Sequence, residues 1–411
     1  MIASLYAGIS GLSANATAMT VIGDNIANVN TTAFKSNRAH FANILSTSLG
    51  GESATANIGR GVEFWGANAQ WTQGSLENSS SPTDLAINGK GFFMVQDPNG
   101  SRYYTRAGNF VFDKQGYLVN PDGYRLQGYQ LDANGNIGSI TSIYIPGERV
   151  APPQATSNFN FDINLSSTAV AGDSYTTAQT FYDSLGNAIP VTFTFTRQAA
   201  DRTWSVSASI PATAGSGVTI GGGASLTIVF NEDGVMASPA ADVSLALTLT
   251  NGAASPQVVT WDLYNPTGDS FGDITGYASA SGTTFQYQDG YPPGMLRGIS
   301  IDESGVVTAA YSNGEMTPMF QLALVDFPSY DGLTKMGKNL YAESLDSGQA
   351  LIGTAGTGRL GSVAPSSLEM SNVDLAEEFV KMITTQRAFQ ANSRVITSSD
   401  EILQELINIK R

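Results

Sequence analysis

Leu375-Ala-Glu-Glu-Phe-Val-Lys-Met-Ile-Thr-Thr-Gln-Arg-Ala-Phe-Gln-Ala-Asn392 lies in a stretch, residues 372–411, that contains neither Gly nor Pro. Apolar residues recur along it at Leu375, Phe379, Met382, Phe389, Ile396, Leu403 and Ile407. One heptad position is apolar throughout: Leu375, Met382, Phe389, Ile396, Leu403. Its companion opens on Phe379, passes through Gln386, Ser393 and Asp400, and closes on Ile407. A seam kept over this many heptads predicts coiled-coil packing. As one helix the stretch would run roughly 60 Å at 1.5 Å per residue. Ser371 with Asp374, or Asp374 with Glu377, supplies a cap. Acids in the first turns and Lys410-Arg411 at the end suit the helix dipole.

Such a helix needs a partner. Its other faces are rich in Ser, Thr and Asn, poor helix formers in mid-helix. Each buried Leu, Ile or Phe contributes about 1.5–3 kcal/mol only when something covers it. The opposite end of the chain repeats the pattern. Leu5, Leu12, Met19 and Ile26 fall seven apart, Ile2, Ile9 and Ala16 hold companion positions, and Ile22 lies near the next. Gly8, Gly11 and Gly23 weaken a helix by about 1 kcal/mol each relative to Ala, yet permit close backbone approach. Two readings follow. Each terminal helix docks on a globular body, or the two form a coaxial pair that assembles with other copies.

Residues 31–71 read as a connector rich in Asn, Ser, Gly and Ala, punctuated by Phe34, Phe41, Phe64, Trp65 and Trp71. A segment this long without clear periodicity is either flexible or ordered against its neighbours. From about residue 84 the texture is β. Short apolar runs such as Phe92-Phe-Met-Val95 and Tyr117-Leu-Val119 alternate with Asn99-Gly100, Asp113-Lys-Gln-Gly116 and Asn120-Pro-Asp-Gly123, which are hairpin signals. Pro146, Pro152 and Pro153 mark a boundary, and residues from about 155 to 280 form a second β region rich in Thr, Val, Ala and Gly. After Pro292-Pro293 the first texture returns. The fold class is therefore multidomain α+β. Terminal helices (1–30 with 372–411) accompany two mainly antiparallel β domains of sandwich or barrel type. The outer β domain (147–281) is inserted in the inner one (72–146 with 282–365).

The totals narrow the function. The 411 residues carry a net charge of −15 with only 13% charged residues, which argues against nucleic acid and against an anionic membrane surface. No stretch approaches the ~18 apolar residues of a membrane helix, and no basic leader precedes an apolar run. On composition alone the protein would be placed in the cytosol. Cysteine is absent and His40 is the lone histidine, so disulfides, a Cys nucleophile and His- or Cys-based zinc sites within one chain are excluded. Gly356-Thr-Gly358-Arg-Leu-Gly361 has dinucleotide-loop spacing but no βαβ setting, and Pro365 follows it. Residues 332–339 nearly fit a phosphate loop, with Asn339 where Ser or Thr should bind Mg²⁺. Asp132-Ala-Asn-Gly-Asn136 starts like a calcium loop, but Ile143 stands where the closing Glu belongs. No catalytic, cofactor or metal site is expected.

Several stretches resemble a known family, the bacterial flagellar hook proteins within the rod and hook axial group. Asp24-Asn-Ile-Ala-Asn28-Val-Asn-Thr31-Thr-Ala-Phe34-Lys35 resembles the group's N-terminal signature, with Asn25, Asn28, Thr31, Phe34 and Lys35 at its matching positions. Asn88-Gly-Lys-Gly-Phe-Phe-Met-Val95 and Tyr104-Thr-Arg-Ala-Gly-Asn-Phe110 resemble its first β domain. Ser371-Asn-Val-Asp-Leu-Ala-Glu-Glu-Phe379 and Gln386-Arg387-Ala-Phe-Gln-Ala-Asn392 resemble its C-terminal helix. Rod proteins share the termini, so the middle discriminates. Phe181-Tyr-Asp-Ser-Leu-Gly-Asn187 and Tyr311-Ser-Asn-Gly314 are similar to the hook branch. A distal rod protein is the runner-up within the family, and a secreted β-rich adhesin or glycan-active enzyme is the runner-up outside it.

The resemblance implies an extracellular structural subunit, exported by the flagellar type III apparatus without a cleaved signal. It implies a helical homopolymer: a curved hollow tube that transmits torque. Its partners would be the distal rod protein, the hook cap and the hook–filament junction protein. The terminal helices would form the inner tube. Their self-assembly seam would be Leu5, Ile9, Leu12, Met19, Ile26, Leu375, Phe379, Met382, Phe389, Ile396, Leu403 and Ile407.

Overall fold

Short β runs closed by Asp and Asn turns build most of the chain. Asp113 Oδ1 accepts the amides of Gln115 (2.9 Å) and Tyr117 (2.8 Å). Asn120 Oδ1 accepts those of Asp122 (3.1 Å) and Tyr124 (2.8 Å). Asp302 does the same for Val306 at 2.8 Å. These side chains replace turn hydrogen bonds, which is why Asp and Asn sit at the breaks. The computed structural model describes residues 2–44, 47–48, 57–58, 61–132, 135–145, 150–263 and 274–409. Pro146, Lys410 and Arg411, on which sequence expectations were placed, lie outside them.

The chain divides into two compact units. One comprises Met1–Gly147, Ile299–Ala309 and Thr317–Arg411, and the other Glu148–Gly298 and Ala310–Met316. In the first, an antiparallel sheet runs in the order Met316–Leu322, Arg125–Leu131, Phe92–Gln96, Arg102–Thr105, Leu340–Ala342, Thr334–Gly337. Phe92, Met94, Tyr104, Val325, Phe327 and Tyr341 form a buried cluster on it, with Trp71 packed against them. Trp71 brings the end of the 31–71 segment onto this core, 5.6 Å from Phe92 ring to ring.

The second unit is a two-sheet sandwich. A six-stranded sheet runs Gly215–Ile220, Val243–Leu249, Gln257–Trp261, Asn158–Asn164, Ile274–Thr275, with Gly282–Gln288 also on Asn158–Asn164. A five-stranded sheet is built from Ser174–Tyr182, Ala188–Arg197, Thr203–Ser209, Leu226–Phe230 and Met236–Ser238. Period-two alternation sends Phe193 and Phe195 from one sheet, and Phe159, Phe161 and Trp261 from the other, into one core. Most ladders are antiparallel, but Asn158–Asn164 pairs in parallel with Gln257–Trp261 and with Ile274–Thr275. Gly282–Gln288 pairs with Asn158–Asn164 along its length, so residues 282–298 fall in this unit rather than in the other β region.

Helix α1 spans Ile2–Ala27 and helix α2 spans Leu375–Ile409. Asp374 caps α2, its Oδ1 accepting the amides of Ala376 (2.8 Å) and Glu377 (3.2 Å). Among the described residues no helix is long and apolar enough to cross a membrane. The 31–71 segment carries an antiparallel ribbon of Asn37–Asn43 and Val62–Ala69, with His40 exposed on it. The ribbon packs on α1: Ser10 Oγ accepts the amide of Val62 at 3.2 Å. Period-two alternation is too weak there to announce strands.

Candidate functional site

The two helices run antiparallel, Gly8 and Gly11 of α1 meeting Asn392 and Ile396 of α2 while Asn25 meets Glu378. The covered face of α1 is made of Gly8, Gly11, Ala14, Ile22 and Asn25, all buried. On α2 the inward positions are Glu378, Met382, Thr385, Phe389, Asn392, Ile396, Ser399 and Leu403, buried or half-buried. The seam position read from Leu375, Met382, Phe389, Ile396 and Leu403 is only partly covered: Ile396 packs on Gly8, Met382, Phe389 and Leu403 are half-buried, and Leu375 is exposed. Its intrachain companions are Glu378, Thr385, Asn392 and Ser399, one residue before the expected Phe379, Gln386, Ser393 and Asp400. At Asn392 the polar side chain fits because Gly11 brings the α1 backbone close, and at Glu378 it meets Asn25. Sequence periodicity built on apolar residues does not register them.

The remaining seam residues lie beside or outside this contact. Leu5, Leu12, Met19 and Ile26 are half-buried, Ser393 likewise, and Gln386 and Asp400 are exposed. Ile9 is 48% exposed, Leu375 40% and Phe379 49%. The side chain of Ile407 lies outside the described residues. With Val380, Ile383, Val395 and Ile402 also exposed, the helix pair keeps an uncovered apolar surface.

The signature residues tie the pair to the β unit that follows. Asn25 is 1% exposed. Its Nδ2 donates to the carbonyl of Asn37 (2.8 Å) and to Glu378 Oε2 (3.1 Å), and its Oδ1 accepts the Asn37 amide (2.8 Å). One buried side chain therefore joins α1, the ribbon and α2. Asn28 closes α1, Nδ2 donating to the Asp24 carbonyl at 2.9 Å, and its Oδ1 accepts from Thr31 Oγ1 at 3.1 Å. Phe34 is half-buried in the turn that follows.

Lys35 enters a closed polar node. Its Nζ donates to Glu369 Oε1 (2.5 Å) and to the Thr72 carbonyl (2.8 Å). Arg106 reaches Glu369 Oε2 at 3.1 Å, and the Gly74 amide donates to Oε1 at 3.0 Å. The three charged side chains are 6% exposed or less. Burial lowers the Lys35 pKa below the ordinary lysine value, and attraction to Glu369 offsets part of that. Asn372 adds a second tie, its Oδ1 accepting the Ser36 amide (2.7 Å) and its Nδ2 donating to the Gln70 carbonyl (2.8 Å). The adjacent acids Glu377-Glu378 read as a solvated helix turn, yet Glu378 is 4% exposed. Arg106, Asn372 and Glu378 fall inside stretches quoted above for the resemblance, where they carry no assigned role, and Glu369 stands outside them. Their partners are hundreds of residues away, and no local pattern announces such pairing. Of the remaining signature positions, Gln386 and Arg387 are exposed, and Asn392 lies against Gly11.

The motif-like glycine segments are turns. Gly356 to Gly361 bends between the strands Leu351–Gly353 and Ser362–Pro365, and Gly337 to Asn339 forms the hairpin between Thr334–Gly337 and Leu340–Ala342. Phe181-Tyr-Asp-Ser-Leu-Gly-Asn187 is built around Asp183, which is 0% exposed. Asp183 accepts from the Leu185 (2.9 Å) and Asn187 (2.8 Å) amides and from Asn187 Nδ2 (2.9 Å) and Asn251 Nδ2 (2.6 Å). Burial alone would raise its pKa, but these donors outweigh it and hold the carboxyl below its ordinary value.

Four family descriptions match in chain order. "Flagella basal body rod protein" covers residues 5–35 and "Flagellar hook protein FlgE/F/G D1 domain" covers 86–171. "Flagellar basal body protein FlaE D2 domain" covers 171–291 and "Flagellar basal body rod FlgEFG protein C-terminal" covers 364–409. The chain is 33% identical to flagellar hook protein FlgE of Borreliella burgdorferi, over 100% of both chains. It is 35% identical to that of Escherichia coli, over 98% of both. It is 35% identical to that of Salmonella typhimurium, over 99% of this chain and 100% of that one. The crystal structure of Helicobacter pylori flagellar hook protein FlgE2 shares the fold at TM-score 0.54 and 17% identity, covering 72% of this chain and all of that one. End-to-end identity at this level, with matches at both termini and in both β regions, leaves one conclusion: the chain belongs to the flagellar hook protein family.

Proposed function

We infer that this chain is the structural subunit of the bacterial flagellar hook. It self-assembles into a curved hollow tube that acts as a universal joint between rod and filament. The observation that carries this is the end-to-end correspondence with hook proteins, which includes the middle of the chain where a rod protein would differ. The family is structural, not enzymatic.

The finer reading assigns work to the helix pair. Leu375, Phe379, Val380 and Ile383, left exposed within one chain, would be covered by neighbouring copies, extending the pair into coiled-coil contacts around a channel. Contacts between unlike faces produce an open helical polymer rather than a closed ring. The Asn25 and Glu369 nodes would pass torque from the β layer to the helices without slack, since buried charged hydrogen bonds tolerate little displacement. The outer β domain, inserted in the inner one, would adjust lateral contacts as the tube bends. The proposed partners are other copies, the distal rod protein, the hook cap, the hook–filament junction protein and the type III export apparatus. The proposed location is outside the cell, in the hook.

Deleting the gene should leave basal bodies that end at the rod, without hook or filament. The full chain should restore both, and a chain truncated before Leu375 should not. Complete hooks in the deletion strain would overturn the assignment.

A further inference from the structure

The hairpin of Thr334–Gly337 and Leu340–Ala342 carries a side chain that its turn does not need. The strands pair at Gly337 and Leu340, which leaves Lys338 and Asn339 as a two-residue loop. Both have positive φ, 53° and 57°. Such a loop favours Gly at its second position, where left-handed backbone costs Gly nothing. Asn339 stands there instead, so the turn alone does not account for its side chain. The base of the hairpin is fixed. Leu340 and Tyr341 are buried, Leu340 pairs with Thr105, and Thr105 Oγ1 donates to the Asn339 carbonyl at 2.8 Å. Lys338 Nζ meets Asp122 Oδ1 at 2.6 Å.

From this fixed backbone Asn339 Nδ2 reaches out and donates to the Thr32 carbonyl at 2.7 Å. Thr32 lies in the turn that carries the chain from α1 to the ribbon. The next residue, Ala33, is 1% exposed and left-handed, φ 57°, and its amide donates to the Glu369 carbonyl at 2.7 Å. The Thr32–Ala33 peptide group is thus held at both ends, by the hairpin through its oxygen and by Glu369 through its nitrogen. A peptide group held at both atoms resists rotation, so the turn keeps one geometry.

A second tether lies nearby, Lys335 Nζ donating to Asn37 Oδ1. Burial lowers the Lys335 pKa below the ordinary lysine value, and attraction to Asp24 in the last turns of α1 offsets part of that. Around these contacts lies a cleft of about 370 Å³, lined among others by Asp24, Asn28, Phe34, Lys335 and Leu340. A joint held by two polar tethers beside a cleft has a defined direction, with less close packing to resist tilting than a filled core would supply.

We propose that this hairpin is the clamp that sets the direction in which α1 leaves the β unit, with Asn339 as its positioning residue. The inference rests on the hook reading and adds to it the joint at which each subunit's helices are aimed within the tube.

The test compares Asn339→Gly and Asn339→Asp in the full chain. Glycine suits the turn and removes the tether, whereas aspartate keeps the size and removes the donor. In both variants hydrogen exchange of the free chain should quicken about three- to tenfold at Thr31, Ala33 and Phe34, the loss of one hydrogen bond. The amides of Phe92–Gln96 should exchange as in the parent. Electron cryo-microscopy of tubes from either variant should show α1 at a changed tilt to its own β unit. Were Asn339 needed only for the turn, Asn339→Gly would leave exchange and tilt as in the parent, and that result would overturn the proposal. Equal acceleration across the whole unit, or an unfolded unit in both variants, would overturn it too, by making Asn339 part of the fold rather than of the joint. Each of these outcomes leaves the hook reading standing. Failure of the parent chain to form tubes would overturn the hook reading, whereas the exchange result does not depend on tubes and decides the clamp by itself.

Discussion

Gly11 of α1 lies directly against Asn392 of α2: a Cβ at Gly11 would stand 2.7 Å from Asn392 Nδ2. Gly8 is packed almost as tightly, its Cβ position 3.1 Å from Ile396 Cγ1. The helices pair through absence of side chain on one side and a mixed polar and apolar ridge on the other. Gly11→Val should therefore push them apart, costing about 1–3 kcal/mol of pairing. Hydrogen exchange should show faster opening of residues 2–27 and 375–409, with the β units unchanged. Equal protection in variant and parent would mean that the close approach is not needed.

A second expectation concerns Glu369. It neutralises Lys35 and Arg106 in a closed site, so Glu369→Ala leaves two buried cations facing each other. Breaking a buried pair in this way costs about 3–5 kcal/mol. Urea unfolding of the variant should show a loss of that size in the transition that reports the first unit. A loss under 1 kcal/mol would show that water or another acceptor replaces the carboxylate.

The third concerns acid. Asp183 has a folded pKa below its ordinary value of 3.8. Its contribution is therefore fully present above that value and is lost as pH falls through the depressed folded value. At neutral pH Asp183→Asn should lower the stability of the sandwich by about 1.5–3 kcal/mol, the worth of hydrogen bonds to a charged acceptor. The gap between variant and parent should narrow as pH drops below 3.8. A gap independent of pH would assign the loss to packing.

Phe379 and Phe389 separate pairing from assembly. Phe389 is half-buried in the α1–α2 contact, whereas Phe379 is 49% exposed. Phe379→Asp should change the stability of the free chain by no more than about 0.5 kcal/mol, as expected for a surface substitution, yet block polymerisation. Phe389→Asp should impair both, since it buries a charge without a partner. Sedimentation and urea unfolding distinguish the cases. Normal polymers from Phe379→Asp would place the interchain seam elsewhere on the helices.

Long-period features were legible in the sequence. The helical run after Leu375, its Asp374 cap and the Asx turns of the β regions follow from local chemistry. Apolar side chains at heptad spacing announce themselves too, but of Leu375, Met382, Phe389, Ile396 and Leu403 the first is exposed and only Ile396 lies against a glycine of α1. The companion positions were not legible. Thr385, Asn392 and Ser399 carry no apolar signal, and Asn392 packs on Gly11, about 380 residues earlier in the chain. The same holds for the Lys35–Glu369–Arg106 node, whose members are scattered and individually look like surface charges. The strands of the 31–71 ribbon were hidden because Asn, Gly and Ala dilute their alternation. The boundary expected at 281/282 falls short of the second unit's extent to Gly298, because Gly282–Gln288 reads locally like any strand and its pairing with Asn158–Asn164 is set by a distant part of the chain.

Neighbouring copies are proposed to cover the exposed face of the helix pair in an open polymer. Electron cryo-microscopy of tubes assembled from the full chain tests it most directly. The expected result is a hollow helical tube with α1 and α2 at the innermost radius, the Lys35–Glu369–Arg106 node intact, and Phe379 buried against another copy. A closed ring, or a tube whose channel is lined by β strands with Phe379 still exposed, would contradict it.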